Sequence, residues 1–380
     1  MVVTLLLVLA QGAGGTAVLD STAFDRAVRE GIAERVYPGA ALVVGTRDSI
    51  LFAKTYGRFT WSAASTRPSL DSTFWDLASL TKVVATTPAL MVLVQRGRVV
   101  LDSPVVRYVP EFNSPGTGII TVRHLLTHTS GLRGTLPLKD APDSATALNM
   151  VLTTIPITPP GSRMVYSDLN AILLGEIVRR VSGVPLDGFV TREVFAPLGG
   201  GLERQMVFRP PRRLERYTVP TGIWHGHPIA GVVNDPNAAR LGGVAGHAGL
   251  FATANGLARF AQFMLAEGAP ILKPETVRQF TRIAVAARRG TSARTLGWEA
   301  LPTGEDVSSA GTLLGPHTYG HTGWTGTSLW IDPDRGLFVL LLTNRSYSQA
   351  GGARGTFTAL KEVRGRVADT AARAFDSRGR

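Results

Sequence analysis

From Ser21 onward, apolar residues recur at helical spacing at Phe24, Ala27, Val28, Ile32 and Val36, predicting an amphipathic helix that Pro38-Gly39 ends. The pattern then changes. Ala40–Gly45 and Ser49–Tyr56 are β-rich runs joined by a short Arg47-Asp48 turn, which reads as a hairpin. Similar texture returns near the other end. Thr322–Ile331 is strand-like, Asp332-Pro333-Asp334-Arg335-Gly336 is a turn, and Leu337–Thr343 is a continuous apolar strand. A last helix covers about Gly355–Phe375.

The middle of the chain reads as mostly helical. Ser79–Arg96 is an apolar helix interrupted by Pro88, Thr121–Thr127 is a short helix, and Asn170–Val181 carries ILLGEIV at core spacing. Long Pro- and Gly-rich loops lie between them, including Ile155–Gly161 and Pro210–Gly246, and long ordered loops tend to line binding sites. Strands at both ends with helices between them predict an α+β fold. The two chain ends, 19–76 and 297–376, would build one antiparallel sheet flanked by helices, and 77–296 would form an inserted, mostly helical domain.

Composition narrows the class. With 380 residues, 44% apolar and 18% charged, the chain can bury a sizeable core, and intrinsic disorder is excluded as its main state. No run reaches the ~20 apolar residues a membrane-spanning helix needs. Cysteine is absent, which removes disulfides, thiolate nucleophiles and cysteine-ligated metals, so catalysis must rest on Ser, Tyr, Lys, His or carboxylates. The net charge of +12 invites a nucleic-acid partner, but the cations are scattered and not interleaved with aromatics, so none is predicted. Residues 1–18 hold an apolar run from Val2 to Ala10 of signal-peptide length, which predicts a periplasmic or secreted protein.

Three short motifs carry the chemistry. Ser79-Leu80-Thr81-Lys82 opens the apolar helix and sets a hydroxyl and an ammonium one turn apart, at a helix N-terminus that favours a developing oxyanion. A lysine desolvated there can lose its proton near neutral pH and act as a base. Tyr166-Ser167-Asp168 precedes the helix at Asn170, where Asp168 suits either N-capping or a role in the site. A phenol near such a lysine can serve as base or proton relay. His321-Thr322-Gly323-Trp324 opens the penultimate strand, with a cation-capable residue, a hydroxyl, and a glycine that would let a substrate lie along the strand edge. Each motif is weak alone. Chance gives all three in this order in only a few chains per thousand, roughly.

Together they resemble the signature of the serine β-lactamase and penicillin-binding protein superfamily, Ser-x-x-Lys, Tyr-x-Asn and Lys/His-Thr-Gly. The likeness is to its class C branch, which includes D,D-carboxypeptidase-like proteins and β-lactamase-fold esterases. Supporting stretches are ITVRHLLTHTSGL, YSDLNAILLGEIVRRVSG and GHTGWTGTSLWIDP. The resemblance implies a cleft between a sheet domain and a helical one. Ser79 would be the nucleophile forming an acyl-enzyme, Lys82 and Tyr166 would share the proton work, and His321 would occupy the cation position of the third motif. Thr322, Gly323 and Trp324 would bind substrate, and the N–H groups of Ser79 and Trp324 would form the oxyanion hole. No cofactor or metal is implied. The substrate would be a small molecule or a peptidoglycan peptide, bound as an ester, amide or β-lactam.

Two departures matter. Asp168 stands where the pattern has asparagine, and a carboxylate cannot donate to a substrate carbonyl unless protonated; it would instead pair with Lys82 or repel that carbonyl. His321 replaces a permanent cation, which weakens a clamp on a β-lactam carboxylate above its pKa. Both favour a peptidase, an esterase or a weak lactam hydrolase. The alternative is a non-catalytic penicillin-binding or sensor protein of the same fold. His225 and His227 in their glycine loop lack a carboxylate cluster for a metal, Gly243–Gly249 reads as a turn lining the cleft, and His128 as a structural histidine. No Gly-x-Ser-x-Gly elbow occurs.

Overall fold

A computed structural model describes residues 21–347 and 356–379. The N-terminal segment expected as a signal lies outside the described residues. Helix α1 (Ser21–Ala33) leads into β1 (Gly39–Thr46) and β2 (Ile50–Gly57), the predicted hairpin. Near the other end follow β3 (Ala293–Arg294), β4 (Glu299–Ala300), β5 (Tyr319–Thr322), β6 (Ser328–Asp332) and β7 (Leu337–Thr343). These seven strands form one sheet in the order β2-β1-β7-β6-β5-β4-β3, all neighbours antiparallel. The two chain ends meet at β1 and β7, where Ala40 pairs with Thr343 and Thr46 with Leu337.

Both faces of the central strands are covered, which explains their unbroken apolar sequence. Leu42, Val44, Val339 and Leu341 pack with Phe24 and Val28 of α1 and with Leu360, Val363 and Val367 of the C-terminal helix Phe357–Asp376. Alternate residues Ala41, Val43, Phe338, Leu340 and Leu342 join the larger core that runs into the middle of the chain, against helix Ala254–Leu265.

Three local expectations change. The first helix stops at Ala33 because Arg35 takes a positive φ of 60°, so Val36 is buried beyond the helix end and not on its stripe. Pro88 does not interrupt its helix: a π-helical turn, Lys82–Thr86, leads directly into α-helix Thr87–Gln95, and Pro88 sits in that helix's first turn, where its missing N–H leaves little unsatisfied. The run Thr322–Ile331 is two strands, not one. Gly323 N–H donates to Thr327 O at 2.7 Å, reversing the chain between β5 and β6, so His321 lies on the strand before the penultimate one. The middle of the chain also adds a small sheet of Trp75–Asp76, Leu250–Ala252 and Met206–Phe208 to its helices. Among the described residues no helix is long and apolar enough to cross a membrane.

Candidate active site

Ser79 sits on a tight turn between the strand Trp75–Asp76 and the helical segment. Ala78 holds a positive φ of 46° there. The N–H groups of Leu80, Thr81 and Lys82 donate back to Leu77, Ala78 and Ser79 carbonyls at 3.0, 3.0 and 3.1 Å. Ser79 N–H donates to no acceptor among the described residues. The nucleophile candidate is therefore presented at a helix start with its own amide open.

Lys82 is buried, 4% exposed, and its three ammonium hydrogens match three acceptors. Nζ lies 3.0 Å from Ser79 Oγ, 3.1 Å from His247 O and 2.9 Å from Asp168 Oδ1. Burial disfavours the ammonium, but Asp168 and Tyr166 more than offset it, and the Lys82 pKa is raised. This corrects the expectation that desolvation frees Lys82 to act as a neutral base: the paired carboxylate keeps it charged.

Asp168 is the first residue of helix Asp168–Ser182 and not its N-cap, which is Ser167. Its carboxylate is committed to Lys82, as the sequence allowed, while the helix N-terminus also favours its charge. The preceding Tyr166 ring is ringed by basic groups, with Lys82 Nζ at 5.0 Å and Arg294 Cζ at 5.5 Å from its centroid. The rings of His128 and His321 lie at 4.7 and 5.7 Å. His128 is structural, as expected. Its Nδ1 accepts from Ser167 N–H at 3.1 Å and contacts Asn170 Nδ2 at 3.2 Å, while its carbonyl accepts from Val165 N–H at 2.8 Å. Burial, then Arg294, Lys82 and His321, hold it well below the usual histidine range.

His321 is likewise neutral. Burial, then the cations Arg294 and Lys82, push its pKa well below 6.5. Nδ1–H donates to Thr322 O at 2.8 Å, leaving Nε2 a buried acceptor without a partner among the described residues. The cation-capable residue of the third motif is thus uncharged: a third positive charge beside Lys82 and Arg294 would be buried and repelled by both. β4 pairs with Tyr319 and Gly320 only, so His321 and Thr322 keep an open strand edge. Gly323 answers a different need from the one expected. A Cβ there would meet Leu77 O at 2.5 Å, so the glycine lets the turn dock on the residues before Ser79. Thr325 and Thr327 hydroxyls complete that docking, donating to Asp76 O at 2.6 Å and Leu77 O at 3.1 Å. Buried Arg364 braces the turn from below, donating to Gly323 O at 3.0 Å and Thr327 O at 2.7 Å. Trp324 N–H, like that of Ser79, donates to no acceptor among the described residues; the residue is 45% exposed, its indole stacked on Phe357 at 6.0 Å.

These groups line a cleft of about 290 Å³ that includes Ser79, Tyr166, Arg294, His321, Thr322, Gly323 and Trp324. Arg294, on β3, is 6% exposed, and its Nε and Nη1 have no hydrogen-bond partner among the described residues. The other cleft lysine is already paired, Lys361 Nζ lying 2.9 Å from Glu305 Oε2. Arg294 therefore brings a buried guanidinium with unused donors to the lining of the cleft, which its strand partner Glu299 shares.

Comparison with known proteins gives the family. A family model described as Beta-lactamase matches residues 24–362. The chain belongs to the beta-lactamase family. Within it, a relative from Escherichia coli (strain K12) named "Putative D-alanyl-D-alanine carboxypeptidase" is 30% identical over 351 residues, covering 82% of this chain and 79% of its own. A penicillin-binding protein homolog from Caulobacter crescentus superposes with a TM-score of 0.72 at 20% identity, covering 94% of this chain and 98% of its own. EstCE1, described as a hydrolase with promiscuous acyltransferase activity, gives 0.72 at 20% identity over 91% of this chain and 98% of its own.

In this beta-lactamase-family chain the structure gathers Ser79, Lys82, Tyr166, Asp168, His321, Thr322, Gly323 and Trp324 at one place. Arg294, Asp76 and the pair His247–Asp235 escaped sequence reasoning. Arg294 is one arginine among many with no motif around it, and His247 meets Lys82 through its backbone carbonyl, which no side-chain pattern reports.

Proposed function

We propose that this protein is a serine hydrolase that forms an acyl-enzyme through Ser79 on a substrate carrying a carboxylate near the scissile bond, a D,D-carboxypeptidase-type reaction. The observation that carries the reading is the chain of contacts Ser79 Oγ, Lys82 Nζ, Asp168 Oδ1, with separations of 3.0 and 2.9 Å. As Ser79 attacks the carbonyl, Lys82 passes a proton to Asp168 and takes the serine proton, so the ammonium is restored and Asp168 ends protonated. The open amides of Ser79 and Trp324 receive the oxyanion. Tyr166, which lines the cleft, is the group left to protonate the departing amine or alkoxide. Water then attacks the acyl-enzyme and gives its proton to the Tyr166 phenolate, and Ser79 departs with the proton that Asp168 returns through Lys82, so the acid is released and every group is restored.

Arg294 supports the substrate class. Its unused donors in a buried position fit a carboxylate, and the neutral His321 leaves that task to it. A peptide ending in a free D-alanine fits this requirement, whereas a simple alkyl ester leaves Arg294 unengaged. A peptidoglycan substrate of this kind and the apolar N-terminal run both support a periplasmic or secreted location.

The test compares wild type and Arg294→Ala on a D-Ala-D-Ala-terminated peptide, its C-terminal amide, p-nitrophenyl butyrate and nitrocefin. The expected result is cleavage of the free acid at least about tenfold faster than the amide, with the preference lost in Arg294→Ala. Equal rates on acid and amide would remove the carboxylate assignment. Stoichiometric labelling by a fluorescent penicillin with no turnover of any substrate would favour the sensor alternative.

A further inference from the structure

Asp76 lies three residues before Ser79, fully buried, and none of the three motifs includes it. Oδ1 accepts from Ala78 N–H at 2.8 Å, and Oδ2 accepts from Asn234 N–H at 2.7 Å. Ala78 is the positive-φ residue that turns the chain into Ser79, a conformation a non-glycine residue holds only when its surroundings enforce it. The backbone carbonyl of Asp76 in turn accepts from Thr325 Oγ1 at 2.6 Å, one residue past Trp324. One residue thus touches both flanks of the candidate oxyanion hole, through its side chain beside Ser79 and through its main chain beside Trp324.

We infer that Asp76 is the positioning residue that sets the two oxyanion-hole amides, those of Ser79 and Trp324, at their working separation. The inference rests on the acyl-enzyme reading of Ser79. An oxyanion hole works only when both donors point at one position before reaction, because reorienting them during the reaction forfeits the gain. The Asp76 carboxylate fixes the first donor's turn, and the Asp76 carbonyl anchors the second. Asn234 ties the same carboxylate to the loop of Asp235, whose Oδ1 lies 3.2 Å from Nε2 of His247, the residue whose carbonyl holds Lys82.

The ionised carboxylate accepts from both amides, so its protonation would weaken the clamp. Burial, against the two backbone hydrogen bonds, pushes Asp76 up to about 6. The other acid facing it is Asp235, of like charge; burial would raise that group, but its bond to His247 brings it to about 2, below the range in question. The third-motif turn presents Thr325 and the adjoining strand presents Phe251, neither of which titrates.

The test measures covalent labelling of Ser79 by a fluorophosphonate, whose reaction builds an oxyanion at the same place without requiring turnover. Asp76→Asn, isosteric but able to accept from only one of the two amides through its oxygen, is expected to lower the maximal labelling rate at least tenfold, with half-saturation unchanged within about twofold. The wild-type rate should fall below about pH 6, and this limb should vanish in Asp76→Asn. Thr325→Val should lower the maximal rate severalfold and keep the limb, with Thr325→Ser restoring the rate. Amide exchange at Ala78 and Asn234 should quicken in Asp76→Asn, a readout independent of any activity. Labelling of Asp76→Asn within twofold of wild type, with the acid limb unmoved, would overturn the inference. If Asp76→Asn does not fold, the Thr325 pair decides: equal rates for Val and Ser overturn it, and rescue by Ser alone supports it. Loss of all labelling in Ser79→Ala separately checks the acyl-enzyme reading.

Discussion

Lys82 Nζ lies 2.9 Å from Asp168 Oδ1 in a site where the lysine is 4% exposed, so the position the family pattern gives to an amide donor holds instead the counter-ion of the lysine. That pairing decides the proton chemistry. A buried lysine left alone would shed its proton, whereas this one is held as an ammonium, and in the proposed mechanism it relays the serine proton to Asp168.

Asp168→Asn is therefore expected to reduce acylation by about a hundredfold at neutral pH, the usual worth of a positioned proton acceptor. Burial would then act on Lys82 with less opposition, lowering its pKa. Rapid-mixing kinetics with a p-nitrophenyl ester, over a range of pH, measure both effects. An unchanged or faster rate would show that Asp168 accepts no proton.

His128 braces the loop that delivers Tyr166, and its removal should be felt in stability and in rate. His128→Ala leaves Ser167 N–H and Asn170 Nδ2 without their acceptor. Two buried donors left unpaired cost about 2–4 kcal/mol together, measured as a shift of the urea midpoint. Activity should fall with half-saturation little changed. His128→Gln, with an acceptor at the end of its side chain, should recover part of both.

Asp76 gives a stability prediction whose sign is fixed. Its carboxyl is pushed by burial from 3.8 in the unfolded chain to about 6 when folded, so between these values the folded state binds more protons. Relative to Asp76→Asn, wild type should gain stability as pH falls from 7 to 4 and lose it as pH rises, by on the order of 3 kcal/mol in total. Denaturant melts of the two proteins at matched pH give the difference directly. A flat difference across this range would mean that Asp76 titrates as it does in the unfolded chain.

Much of the sheet was legible because burial on both faces writes itself as unbroken apolar runs, as in Leu337–Thr343, whose limits matched. The turn between β5 and β6 was not. It contains no proline or asparagine, and its shape is enforced from far along the chain by Asp76, Leu77 and Arg364. The same division holds in the site. Ser79, Lys82 and Tyr166 announce themselves by residue type and order, since the chemistry needs them at those spacings. Protonation states do not: the charge on Lys82 follows from Asp168 and the neutrality of His321 from burial and then Arg294, all of them set by the fold. Asp76 is hidden for the same reason, its partner Asn234 being 158 residues away.

The central claim is covalent chemistry at Ser79, and intact mass spectrometry tests it most directly. Wild type is mixed with benzylpenicillin and with a D-Ala-D-Ala-terminated peptide, quenched in acid, and weighed. One acyl adduct per chain, located by digestion on the peptide containing Ser79 and missing from Ser79→Ala, is the predicted result. An adduct on any other residue, or hydrolysis of either compound by Ser79→Ala at the wild-type rate, would contradict it.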